Sequence, residues 1–207
     1  MNKKVLIGVI TLVIIVAMAI LGYFVMLKIE QNKVESTIED MFTNLKSGEN
    51  NNQKQEVLEQ LQNNSNQENS TKDTIDYIIL FNKLNYSIIE NKTNFNEASV
   101  VLDITNKDMK KIIGNYLVKA IQLAFANAFT PTYSEEQMNE ELANYLKEQM
   151  ESNEIENITT NITLKLEKQD GKWVIKEESK KDFVNALLPG FVDSINQIND
   201  SFNQNVE

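Results

Sequence analysis

The sequence predicts an α+β protein: an N-terminal transmembrane helix, then a curved antiparallel sheet of two hairpins (about four strands) packed on helices. Three observations carry this. Val5–Leu27 is a run of 23 residues without a charge; as a helix it is about 34 Å long, enough to cross a hydrocarbon core of about 30 Å. Two pairs of segments further on alternate apolar and polar residues, which is the strand period. Helix-period segments lie before, between and after those pairs.

Lys3 and Lys4 precede the apolar run, so the positive-inside rule places the N-terminus in the cytoplasm and the body outside, in a single-pass cell-membrane topology. Ala17-Met18-Ala19 resembles a signal-peptidase site. Eight more uncharged residues follow it, which favours an uncleaved anchor. Residues 1–28 are therefore read as a cytoplasmic tip and transmembrane helix, and 29–207 as an extracytoplasmic α+β domain. The helix is expected to continue beyond the membrane. No Pro or Gly occurs from Lys28 to Lys46, and Val34, Ile38, Phe42 and Leu45 recur at helical spacing before the stop Ser47-Gly48. Glu49–Asn69 holds twelve Asn or Gln in 21 residues. It reads as a polar loop over about 49–70, with a marginal helix at Val57-Leu58-Leu61.

Ser70 with Asp73 suggests a capping box opening a short helix to Asn82. The period then changes. Leu84, Tyr86 and Ile88 alternate with polar residues, as do Val100, Leu102 and Ile104, and the turn Asn91–Asn96 joins them into a hairpin. Thr105 or Asn106 is expected to cap the next helix, Met109–Phe129. Its apolar residues cover most of the circumference, so a central, largely buried helix is expected; the lysines at 107, 110, 111 and 119 argue against a second span. Ser134 with Gln137 caps an acidic surface helix to about Ser152, with a narrow stripe at Met138, Leu142, Tyr145, Leu146 and Met150. Ile158–Glu167 and Lys172–Lys176 alternate about Asp170-Gly171, the strongest hairpin signal in the chain. A last helix from near Lys180 must kink or break at Pro189-Gly190.

Composition removes whole chemistries. The chain has no His, no Cys and no Arg. That leaves no imidazole base, no thiol nucleophile, no thiolate or imidazole metal site and no bidentate guanidinium clamp. Residues 29–207 hold 30 acids against 17 lysines, a formal charge of −13. Such a body repels nucleic acid. No phosphate-binding Gly-rich loop or calcium loop is present, and no cofactor or metal is expected.

The order helices, hairpin, two helices, hairpin, helix resembles the nuclear transport factor 2-like (cystatin-like) superfamily. More narrowly, the chain is similar to membrane-attached extracytoplasmic domains of unknown function from Gram-positive bacteria. The residues that carry this are Phe42-Thr43-Asn44-Leu45-Lys46-Ser47-Gly48, Leu84-Asn85-Tyr86-Ser87-Ile88-Ile89, Ala98–Lys111 and Asp170-Gly171-Lys172-Trp173-Val174-Ile175, within about Lys33 to Leu188. Many such relatives are lipoproteins with a lipid-bearing cysteine; with none here, a helix must serve as the anchor. The resemblance implies a pocket between sheet and helices, lined by Tyr86, Phe125 and Trp173. Of the catalytic pairs it brings to mind, only Tyr with Asp survives, as Tyr86 and Asp103. Strand alternation sets these two on opposite faces of the sheet. The expected function is therefore non-catalytic: binding a small apolar ligand or an envelope protein partner, as a monomer or a homodimer. A scaffold of a secretion or conjugation apparatus is the alternative, and a histidine-free isomerase-like enzyme the third reading.

Overall fold

The computed structural model of the chain describes residues 3–47, 78–130 and 132–203. The polar loop, its Val57–Leu61 patch and the Ser70–Asp73 capping box lie outside the described residues. Helix α1 runs unbroken over Lys3–Ser47, so the apolar run and the first helix of the body form one rod. Then come α2 (Ile78–Phe81), β1 (Asn85–Thr93), β2 (Glu97–Lys107), α3 (Met109–Phe129), α4 (Glu135–Glu151), β3 (Asn157–Gln169), β4 (Lys172–Ile175), α5 (Glu177–Leu187) and α6 (Phe191–Asn203).

Among the described residues four antiparallel strands form one curved sheet in the order β1-β2-β3-β4, as the fold class required. A bulge between Ile88 and Glu90 shifts the register of β1, and such bulges bend a strand and increase its twist. In the second hairpin Asp170 and Gly171 both take positive φ (50° and 80°), the pairing of conformations that a tight two-residue turn needs to match strand twist. One face of the sheet is apolar. Val100, Leu102, Ile104, Leu164 and Leu166 are fully buried there under α1, α2 and α5. On α1 the buried stripe is Val34, Ile38, Phe42 and Leu45, joined by Met41. Phe42 stacks on Tyr86 (centroids 4.0 Å apart) and meets Phe183 edge-on at 6.0 Å, so three elements lock at one aromatic cluster.

Several expectations need correction. Asp108, not Thr105 or Asn106, caps α3, its carboxylate accepting from the Lys111 N–H. Asn106 is the last inward residue of β2. It is fully buried, and its amide donates to the carbonyls of Leu80 (3.0 Å) and Leu187 (2.8 Å), tying α2 and α5 to the sheet. Lys107 is also buried, its ammonium donating to the carbonyls of Ser152 (2.7 Å) and Ile155 (2.8 Å) after α4. Helix α3 is not central. Only Met109, Ile112 and Leu123 are buried, because α3 leaves the end of the sheet and packs chiefly on α4 and α6. The capping box of α4 forms as expected, with Leu146 and Met150 buried. Pro189-Gly190 separates α5 from α6. Gly190 takes φ +79°, which lets the start of α6 approach Lys110 closely.

Candidate functional site

Two surfaces stand out once each side chain is placed. The first is the junction of α1 with the sheet. Extending the buried stripe of α1 back one turn from Val34 reaches Glu30, which is accordingly buried although charged. Burial of a lone carboxylate is costly, and three donors offset it. Lys33 donates to Oε1 at 2.9 Å, while Lys168 and the Trp173 indole donate to Oε2 at 2.7 and 3.2 Å. The Lys168 hydrogen bond, then that of Lys33, outweighs desolvation and lowers the Glu30 pKa from 4.5 to about 2. The Lys168 ammonium also lies 5.7 Å from the Trp173 ring centroid. Beside it, Gln31 and Asn91 exchange side chain-to-backbone hydrogen bonds (3.5 and 3.3 Å), and the Asn91 amide donates to Glu35 at 3.0 Å. A further contact lies nearer the N-terminus of α1: the Tyr23 and Phe95 rings meet edge-on at 5.5 Å. The first hairpin therefore runs alongside α1 with its turn pointing toward the apolar segment.

The second surface is α3. Val118, Ile121, Phe125 and Phe129 follow at intervals of three, four and four and share one face of the helix. They are 55, 56, 63 and 84% exposed. Away from α1, the remaining exposed large apolar residues among those described (Ile89, Phe95, Tyr133) come from other segments. The other sides of α3 are engaged: Lys119 pairs with Glu141 at 2.9 Å and Asn115 donates to Gln149 at 2.7 Å, both on α4, while Met109 N–H donates to the Pro189 carbonyl ahead of α6. By length and composition α3, like α1, is apolar enough to cross a membrane. Crossing would carry Lys119 and the acidic α4 into hydrocarbon or break both contacts. The stripe is best described as a face of a domain helix that is uncovered among the described residues.

The residues singled out for a pocket do not converge. Phe125 is on the outer face of α3. Tyr86 and Trp173 share the inner face of the sheet, yet Tyr86 pairs with Ile104 near one end of β2 while Trp173 pairs with Lys168, beyond the other end. Eight residue steps along β2 and its N-terminal extension separate those levels, roughly 26 Å. Tyr86 lies against Phe42, and burial, then the Glu39 charge, raises its phenol pKa. Asp103 pairs with Ser87 on the outer face, where it accepts from Asn161 at 2.6 Å, so Tyr86 and Asp103 do lie on opposite faces. Among the described residues no group of three acidic side chains could hold a metal ion.

Only its position marks Glu30 in the sequence: a charge one turn before Val34 in an otherwise apolar stripe is a signal of a buried, partnered group. The open face of α3 is not legible in the sequence for a plainer reason. An apolar set spread round a helix fits both full burial and burial on two sides with the third uncovered.

No protein-family model matches the chain, and no curated protein matches it. Among solved structures it is similar to a candidate lipoprotein (YcdA) from Bacillus subtilis subsp. subtilis str. 168, with 14% identity and a TM-score of 0.40. The match covers 64% of this chain and 38% of that one, so it spans well under half of the other protein. A likeness of that size assigns neither family nor function.

Proposed function

We propose that the chain is a membrane-anchored, non-catalytic docking module. On this reading α1 crosses the cell membrane, the N-terminus is cytoplasmic, and the α+β domain stands outside, a member of the nuclear transport factor 2-like superfamily. The observation that carries the docking role is the uncovered α3 stripe. Its four side chains expose on the order of 500 Å² of apolar surface, given that each Phe can bury about 200 Å². A patch of that size is at the upper end of what a monomer leaves open. The separation of Tyr86, Phe125 and Trp173 favours protein docking over a small ligand in a shared pocket. The occupant is a protein surface with an apolar helix face and acidic flanks, because α3 carries Lys110 and Lys111 and no acid in an otherwise acidic body, Lys119 being already paired with Glu141. The acidic α4 of a second copy has this flank chemistry, which keeps the scaffold reading in play.

A photo-reactive residue at Phe125 in the full-length chain tests this in intact cells. A discrete protein adduct is expected, lost when Phe129→Asp is added, and absent from the same probe at Glu136. Absence of any Phe129-dependent adduct at Phe125 would refute the docking role. An adduct of twice the chain's mass would identify the second copy as the occupant.

A further inference from the structure

We infer that the β1–β2 turn dips into the outer interface of the bilayer that α1 crosses, with Phe95 as the inserted group; this rests on the membrane-anchor reading above. Helix α1 is unbroken, and Lys28 is the first charge after Lys4. Tyr23 precedes Lys28 by five residues, so it lies about 7.5 Å to the membrane side of that charge. The hairpin follows the rod down. Asn91 is beside Gln31 and Phe95 is beside Tyr23. The four residues of chain from Asn91 to Phe95, the last two in the turn beyond β1, reach at most about 13 Å and eight helix residues span about 12 Å, so the two paths are compatible. The tip therefore stands below the first charge on α1, at a depth the apolar segment itself defines.

The tip is built to tolerate that depth. Asn94 N–H donates to the Glu97 carbonyl (2.9 Å), and the Asn94 side-chain oxygen accepts from the N–H groups of Asn96 (2.9 Å) and Glu97 (2.7 Å). The Asn96 carbonyl accepts from Lys168 N–H at 2.9 Å. These turn groups are thus paired before water is lost, which is the condition for entering a poorly hydrated layer. Asn94, Phe95 and Asn96 are uncharged. The nearest charges on the hairpin, Lys92 and Glu97, are paired with Glu90 (2.8 Å) and Lys176 (2.6 Å). Phe95 is 36% exposed; its apolar ring gains from leaving water, while the amphipathic ring of Tyr23 beside it favours the headgroup level. The hydrocarbon core then ends near Tyr23; Val5–Gly22 alone is about 27 Å long as a helix, close to the thickness required. A second point of attachment fixes the tilt of the domain on its anchor.

The chain lacks cysteine, so single Cys variants carry a fluorophore without background. Full-length Leu21→Cys, Asn96→Cys and Glu136→Cys are labelled with an environment-sensitive dye. They are then reconstituted into phosphatidylcholine–phosphatidylglycerol vesicles with or without spin-labelled quencher lipid. The expected result is strong quenching at positions 21 and 96 and none at 136, with Phe95→Asp relieving quenching at 96 alone. Quenching at 21 without quenching at 96 overturns the insertion and leaves the anchor intact. Equal quenching at all three overturns it too, because the whole domain would then lie on the lipid. No quenching at 21 refutes the anchor, and the insertion with it.

Discussion

Replacing Glu30 by Gln keeps the shape of the side chain and removes the charge that Lys33, Lys168 and Trp173 share. A carboxylate held at a pKa of about 2 against an ordinary 4.5 stabilises the folded state by up to about 3 kcal/mol at neutral pH. Gln keeps one acceptor oxygen, which can serve Lys168 and Trp173 as Oε2 does, but it loses the charge and turns an NH2 donor toward the Lys33 ammonium, so we expect a loss of about 2–3 kcal/mol. For a body of this size that lowers the unfolding midpoint by roughly 5–10 °C. The assay is thermal unfolding of the full-length protein in detergent micelles, followed by the fluorescence of Trp173, the chain's one tryptophan and a direct neighbour of the substituted group. The pH dependence has a definite sign. The folded-state pKa is depressed, so the contribution is fully present above about 4.5 and disappears as pH falls through about 2. Wild type and variant should differ most at pH 7 and converge toward pH 2. A variant within about 1 °C of wild type at pH 7, or a gap that stays constant down to pH 2, would show that the junction is not held by this charge.

Asn106→Ala should cost about 2–4 kcal/mol, because it leaves the buried Leu80 and Leu187 carbonyls without their donor; urea unfolding of the variant checks this, and Asn106→Asp should be no better. Gly190→Ala should cost about 2–3 kcal/mol, since an added Cβ would meet the Lys110 Cβ at 2.9 Å with φ at +79°; the same unfolding curves decide it. Ile121→Ser with Phe129→Ser should change stability by under about 1 kcal/mol, because both side chains are already exposed, while abolishing the adduct from the probe at position 125; a large stability loss would mean that the stripe is covered within the chain.

Much of the fold was legible because periodicity and caps are local. The switch from helical to alternating spacing at Leu84, the Asp170-Gly171 turn, the Ser134–Gln137 capping box and the break at Pro189-Gly190 each act within a few residues. The errors share a cause. Asn106 was read as a helix cap because its sequence neighbours suit one, but the carbonyls it serves belong to Leu80 and Leu187, 26 and 81 positions away. The apolar residues on several sides of α3 predict an interior place for Phe125, and only docking against α4 and α6 reveals which side stays open among the described residues.

By itself the sequence determined the order of elements, the continuous apolar rod at the N-terminus, and the absence of histidine, cysteine and arginine chemistry. Each of those is a property of the chain read along its length. Tertiary structure alone decided that Glu30 is buried against Lys168, 138 residues away, that the first hairpin descends α1 to Tyr23, and that the outer face of α3 is left bare among the described residues. The physical reason is the range of the interaction. Backbone geometry repeats every two or 3.6 residues and can be read locally, whereas burial and charge pairing depend on which distant surfaces meet when the sheet closes over α1.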